Sequence, residues 1–364
     1  MLYPQQNAAR LCVAQSGLWD FCLSHDLNAG DIDPAAPLPE ARPMAVPASY
    51  NDQGEDKELR DHYGWAFYQR EITLPALCAG QRAVLRFGAV THHARVWLDG
   101  KLIAEHKGGF LPFEADVTGL LTPGTPACLT VACDNRVDHS TLPIGNEPGQ
   151  IAFFGSDNAG IPSVEHAKAT AAPQNRPNFD FFNFAGIHRP VWLYTTPAAY
   201  IRDITLVPHN DGRVEYIIDT VGDGEPWLKV LAPDGTAVAS AKGNKGTLTV
   251  PAPQLWEPWP GTPNLYTLQV SFGDDRYDQT FGFREIKVEG VQVLLNGKPV
   301  YFKGFGKHED SAFHGRGLDD CLNVKDVNLL HWLGANGRGP TVSVPVTIRT
   351  ARNSMPCATG KASW

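Results

Sequence analysis

Ala94-Arg95-Val96-Trp97-Leu98-Asp99-Gly100-Lys101-Leu102-Ile103-Ala104-Glu105 is the stretch that decides the fold. Ala94 to Leu98 alternates in polarity, so one face meets a core and the other meets water. Asp99-Gly100 supplies the two positive-φ positions of a tight hairpin turn, and Lys101 to Glu105 returns as the second arm. Upstream, Tyr68 to Leu74 alternates and breaks at Pro75, and Ala83 to Phe87 is a short apolar strand. Downstream, Cys128 to Cys133 is another strand. The chain holds 35 Gly and 29 Pro, which suits many short strands joined by turns. Helical periodicity is nearly absent over roughly the first 300 residues, so the expectation is a mainly β protein built of sandwiches.

Gln150 to Asn178 is polar and small-residue rich and reads as a long loop. A second all-β stretch begins near Tyr200, after Thr195-Thr196-Pro197. Trp227 to Ser240 is a hairpin around Pro233-Asp234-Gly235, and Gly246 to Val250 and Leu265 to Phe272 are strands. This module, residues 199–287, has the size of an immunoglobulin-like sandwich. The style then changes. Leu294 to Tyr301 is a hairpin around Asn296-Gly297, and Phe302 to Gly306 reads as a strand entering the polar cluster Lys307-His308-Glu309-Asp310. Val324, Val327, Leu330 and Leu333 then recur at three-residue steps, which predicts an amphipathic helix from Asn323 capped at Gly334. A strand followed by a helix is how a βα barrel opens.

The net charge of −8 and the lack of a basic run argue against nucleic acid and anionic membrane as partners. No apolar stretch is long enough to span a bilayer, and Met1 to Phe21 does not read as a signal peptide. There is no Asn-x-Ser/Thr site. The seven cysteines are odd in number and lack paired metal spacing, so they read as buried free thiols in a reducing compartment, the cytoplasm by default.

Several stretches resemble glycoside hydrolase family 2. Gly17-Leu18-Trp19-Asp20-Phe21, Val46 to Gln53, Tyr68-Gln69-Arg70, Gly108-Gly109-Phe110 and Phe113 to Thr118 are similar to its sugar-binding jelly roll. Asp180 to Arg189 (DFFNFAGIHR) and Phe302 to Asp310 (FKGFGKHED) resemble its β-glucuronidase branch more than its β-galactosidases. The resemblance runs from about Gly17 to Asn336. It implies a jelly-roll sugar-binding domain over 1–198, an immunoglobulin-like sandwich over 199–287, and only the first βα unit of a (β/α)8 barrel over 288–336. It implies retaining hydrolysis of β-D-glucuronides by two glutamates, one acid/base and one nucleophile, held roughly 5 Å apart. Both belong to later barrel strands, so the expectation is a chain that lacks them and is inactive alone. No cofactor or metal is implied. The implied partner is a β-D-glucuronide or related sugar, and intact relatives assemble as homo-oligomers.

Residues 337–364 depart from the family pattern. Joining each residue's third codon base to the next residue's first two permits Ala-Asn-Ser-Phe-Arg-Thr-Ser-His-Tyr-Pro from Gly339 to Arg349. That is the family's own continuation, so the expectation is an out-of-frame tail over 337–364, with Arg349 to Trp364 disordered or loosely packed.

The resemblance gives Asp180 a reach into the sugar pocket, where a carboxylate accepts from two hydroxyls. The plainer reading is a loop aspartate capping backbone groups. His308 either lines the sugar site or belongs to a solvated loop. Glu309 and Asp310 share the end of the expected strand, and Glu309 reads as a support paired with Arg or His, not as the catalytic acid. His188 and Arg189 brace the Asp180 segment. His92-His93 lacks a third ligand for zinc. Trp97, Trp256 and Trp259 read as packing aromatics. Two other functions fit the sequence: a non-catalytic carbohydrate-binding module, and a fragment of a β-galactosidase-like sibling.

Overall fold

The computed structural model describes residues 1–145, 175, 182–258, 260–303 and 309–335. The first body is a sandwich of two antiparallel sheets. Four strands run in the order Cys12–Ala14, Val191–Thr196, Arg82–Phe87, Phe113–Asp116. Six run in the order Arg42–Val46, Gly17–Leu23, Trp65–Thr73, Pro126–Asp134, His93–Leu98, Lys101–Lys107. The hairpin closes with Leu98 opposite Lys101, and Asp99 and Gly100 take φ of 47° and 76°. Both positive angles match the twist of the flanking strands.

Trp65–Thr73 is apolar almost throughout its first half because both of its faces are covered. Ala66, Tyr68 and Ile72 enter the core between the sheets with Phe21, Phe87, Leu129 and Val131. Trp65 and Phe67 enter a smaller cluster on the outer face, under Ile32 and Leu38 of the segment that follows strand Gly17–Leu23. Gln69 is buried on that face and donates from Nε2 to the Ala36 carbonyl and the Thr130 hydroxyl, so its amide is not stranded.

The second body pairs a three-stranded sheet (Tyr200–Pro208, Arg213–Val221, Lys245–Thr249) with a four-stranded one (Ala237–Lys242, Trp227–Leu231, Tyr266–Phe272, Asp275–Phe281). Val214, Tyr216 and Ile218 alternate inward against Leu228, Val230, Leu268 and Val270. The N-terminal arm ties the bodies together. Arg10 makes a two-pronged ion pair with Asp275, Nε to Oδ1 at 2.8 Å and Nη2 to Oδ2 at 2.6 Å, with side chains only 3% and 0% exposed. The same groups bind Ile201 at both its carbonyl and its amide.

A small antiparallel sheet (Ile286–Glu289, Gln292–Leu295, Lys298–Pro299) turns at Asn296-Gly297, as expected. The helix runs Asp320–Trp332, starting three residues before Asn323 because Asp319 caps it by accepting from Leu322 N–H. Its end is the expected glycine stop: Gly334 has φ of 82°, its N–H reaches the His331 carbonyl, and Ala335 N–H reaches Leu330. Of the apolar stripe, Val327 is buried but Leu333 is 57% exposed.

The strand expected over 302–306 lies only in part within the described residues. Residues 301–303 carry no strand, and 304–306 lie outside the described residues. Barrel strands are held by parallel neighbours. Without such pairing among the described residues, Tyr301 stays 79% exposed. Trp259, all but Asn175 of the expected loop, and the tail from 337 also lie outside the described residues.

Candidate functional site

Strand Gly186–Ile187 pairs with Val90–Thr91, which sets the next residue, His188, beside Thr91. The stretch after strand Arg42–Val46 threads between two segments. Ala48 and Tyr50 N–H groups bond Ile187 and Ala185 on one side, and Ser49 N–H bonds His314 on the other. Gly317 is required there, since a Cβ would lie 2.4 Å from Ala48 Cα. Leu318 N–H closes the arrangement on the His188 carbonyl.

His188 is 1% exposed and sits at the centre of a hydrogen-bond chain whose direction its ends decide. Thr91 Oγ1 donates its one proton to the Gly109 carbonyl, so it accepts from His188 Nδ1 at 3.0 Å. Ser49 Oγ accepts from the Arg316 amide at 2.9 Å and donates to His188 Nε2 at 3.0 Å. His188 is therefore the neutral Nδ1–H tautomer. Burial, then the Arg189 and Arg316 cations, hold its pKa well below the ordinary 6.5.

Arg189, 9% exposed, donates from Nη1 to the carbonyls of His188 (3.1 Å) and Arg316 (2.9 Å). Its Nη2 lies 3.4 Å from Glu309 Oε2, and both side chains are 11% exposed. Burial lowers the Arg189 pKa, opposed by Glu309 and Asp320. Burial lowers that of Arg316 too, opposed mainly by Asp310. Arg189, Glu309, Asp310 and Asp319 line a cavity of about 10 Å³, room for one water and far short of a sugar.

Asp180 and His308 lie outside the described residues. The flanks of the Asp180 segment are tied down. His92 Nε2 donates to Asn183 Oδ1 at 2.7 Å, and burial brings its pKa down to about 4. Asn183 and Asn175 both donate to the Asn135 carbonyl, at 2.9 and 3.0 Å. Ala185 N–H donates to Asn51 Oδ1 at 2.8 Å. The structure thus brings His188, Arg189 and Glu309 together, with Asp310 at the rim of the same cavity.

Sequence reasoning did not name Ser49, Thr91, Asn183 or Arg316 as parts of this site. The available signals were the Val46–Gln53 resemblance for Ser49 and the glycines flanking Arg316. The described arrangement can orient and brace. Among the described residues its acid–base contacts are Arg189 with Glu309 at 3.4 Å and His314 with Asp319 at 3.1 Å.

Three family models match in succession. Residues 14–197 match the sugar binding domain of glycosyl hydrolases family 2, residues 199–284 match glycosyl hydrolases family 2, and residues 286–339 match its TIM barrel domain. A β-glucuronidase of Paenibacillus borealis is 42% identical over 92% of this chain and 56% of its own length. The solved structure of Faecalibacterium prausnitzii β-glucuronidase is 62% identical with a TM-score of 0.93, covering 100% of this chain and 60% of that one. Bifidobacterium dentium β-glucuronidase, solved in complex with coumarin-3-O-glucuronide, is 45% identical with a TM-score of 0.86, covering 100% of this chain and 62% of that one. The chain spans about half the length of the curated relatives it matches.

Proposed function

The chain belongs to glycoside hydrolase family 2 and is homologous to its β-glucuronidases, and from that premise we propose that it is the N-terminal part of a retaining β-D-glucuronide hydrolase that is inactive by itself. One observation carries this reading. Sequence similarity to β-glucuronidases covers 92% of the chain, while similarity to the barrel covers 286–339 alone. Retaining hydrolysis needs one carboxyl group to protonate the leaving oxygen and a second, roughly 5 Å away, to attack the anomeric carbon. In a barrel such groups come from the ends of several strands. Glu309 is not free for that work, being held against Arg189.

In this reading Asp180 and His308 contact sugar hydroxyls. His188, Arg189, Glu309 and Asp310 hold the Asp180 segment and the first barrel segment in register. The glucuronide complex of the Bifidobacterium dentium relative supports the substrate class. Residues 337–364 are out-of-frame translation in this reading, supported by the family continuation that their codons permit in a shifted frame.

The test is an assay of the purified 364-residue chain on a chromogenic β-glucuronide. The expected result is no release above the buffer blank, and measurable turnover overturns the proposal. Resequencing the gene around the Gly337 codon is expected to uncover a lesion or a reading error that restores the family frame.

A further inference from the structure

Among the described residues strand Asp275–Phe281 is the end strand of its sheet, paired only with Tyr266–Phe272. An end strand presents unpaired peptide groups, a template on which another strand can add. Here those groups are taken by side chains. Gln5 of the N-terminal arm sets its carboxamide against residue 278 as a second peptide would, with Nε2 donating to the Asp278 carbonyl at 2.7 Å and Oε1 accepting from the Asp278 amide at 3.1 Å. Asn7 Nδ2 donates to the Arg276 carbonyl at 2.9 Å. The Arg276 amide donates to its neighbour Asp275 Oδ1 at 2.9 Å. Two residues on, Gln279 Nε2 covers the Thr280 carbonyl at 3.0 Å. Side chains thus occupy both peptide groups of the outward-facing residues 276 and 278.

The same four groups are those an identical strand would use. Two copies of this edge, paired antiparallel about Tyr277, would set Arg276 of each opposite Asp278 of the other. That register is hydrogen-bonded at both positions and joins opposite charges twice over. It is also closed and two-fold, so it needs no second surface.

We propose that residues 1–10 are a built-in edge cap, and that Gln5 and Asn7 keep two copies of this chain from joining strand to strand along Asp275–Phe281. The anchor is the Arg10–Asp275 pair, which fixes the arm where the edge begins. Tyr277 hydroxyl to Tyr3 carbonyl and Met1 amine to Asp203 hold the far end. Gln5 and Asn7 are half-buried and belong to neither core, so their removal spares both sandwiches.

The experiment compares the full chain with its Gln5→Ala/Asn7→Ala variant by sedimentation velocity over a concentration series. The variant is expected to self-associate roughly tenfold more tightly than the parent. Adding Asp278→Pro, which removes the outward amide and is tolerated on an edge, is expected to return association to the parental level. Hydrogen exchange supplies the second readout: in the double variant the Asp278 amide should exchange faster when dilute and slow again as dimer forms. Parental association in the double variant overturns the proposal, whatever the amide does. So does added association that Asp278→Pro leaves intact, since that dimer uses another surface.

Discussion

At His188 the protonation state is set by neighbours that admit one arrangement only. Thr91 has spent its proton on Gly109, and Ser49 already accepts from Arg316, so an added proton on Nε2 would strip Ser49 of its acceptor beside two guanidinium groups. The consequence for stability has a definite sign. The folded pKa lies below 6.5, so above that pH neither state takes up the proton and the stability is fully present. As pH falls below 6.5 the unfolded chain binds a proton that the folded chain refuses, and stability is lost. His92, held down to about 4, adds the same loss between 6.5 and 4. Each group contributes a slope of up to about 1.4 kcal/mol per pH unit in that window. His188→Gln keeps one donor and one acceptor and does not titrate. Urea unfolding at pH 7.5 and 5.0 should show the variant losing about 2 kcal/mol less than the parent on acidification. Parallel losses would remove His188 from the account. Only adjacency was legible here: His188 and Arg189 close a recognisable stretch, but Ser49 and Thr91 lie 139 and 97 positions away. No local pattern reports a partner at that distance.

Elements were the most legible scale, because a hairpin writes its rule into neighbouring residues. Asp99-Gly100, Pro233-Asp234-Gly235 and Asn296-Gly297 all turn where read. The first is also packed from outside, since a Cβ on Gly100 would lie 2.5 Å from Ala35 Cβ at a φ of 76°. Gly100→Ala is therefore expected to cost at least about 1–2 kcal/mol from the left-handed backbone alone, read as a lower denaturation midpoint. A midpoint within error of the parent would show that the turn relaxes freely. Of the strand read over 302–306, residues 302–303 carry none and 304–306 lie outside the described residues. Its apolar run is a correct signal for a parallel strand, but such a strand forms by pairing with others. Sequence shows the propensity and not the neighbours.

Across the whole molecule the join between sandwiches rests on a contact that sequence could not show, since Arg10 and Asp275 are 265 positions apart. Both are buried, so removing one strands the other's charge, a loss of about 3–5 kcal/mol. Arg10→Ala should split the melting of the two sandwiches in scanning calorimetry, with the second body unfolding first. An unchanged single transition would show that the arm's other contacts suffice. The domain succession itself was legible, because each body carries its own run of turns and alternation. The long-range ties were not.

The segment 311–318 is attached to the first sandwich by main-chain bonds at Ser49 and His188 and by the Ser49 hydroxyl. Translation delivers those anchors more than a hundred residues before the segment that uses them. The segment therefore does not have to search for its place: it is laid onto a surface already solid when it leaves the ribosome. The turn leading into the helix Asp320–Trp332 then acquires its direction from the sandwich behind it.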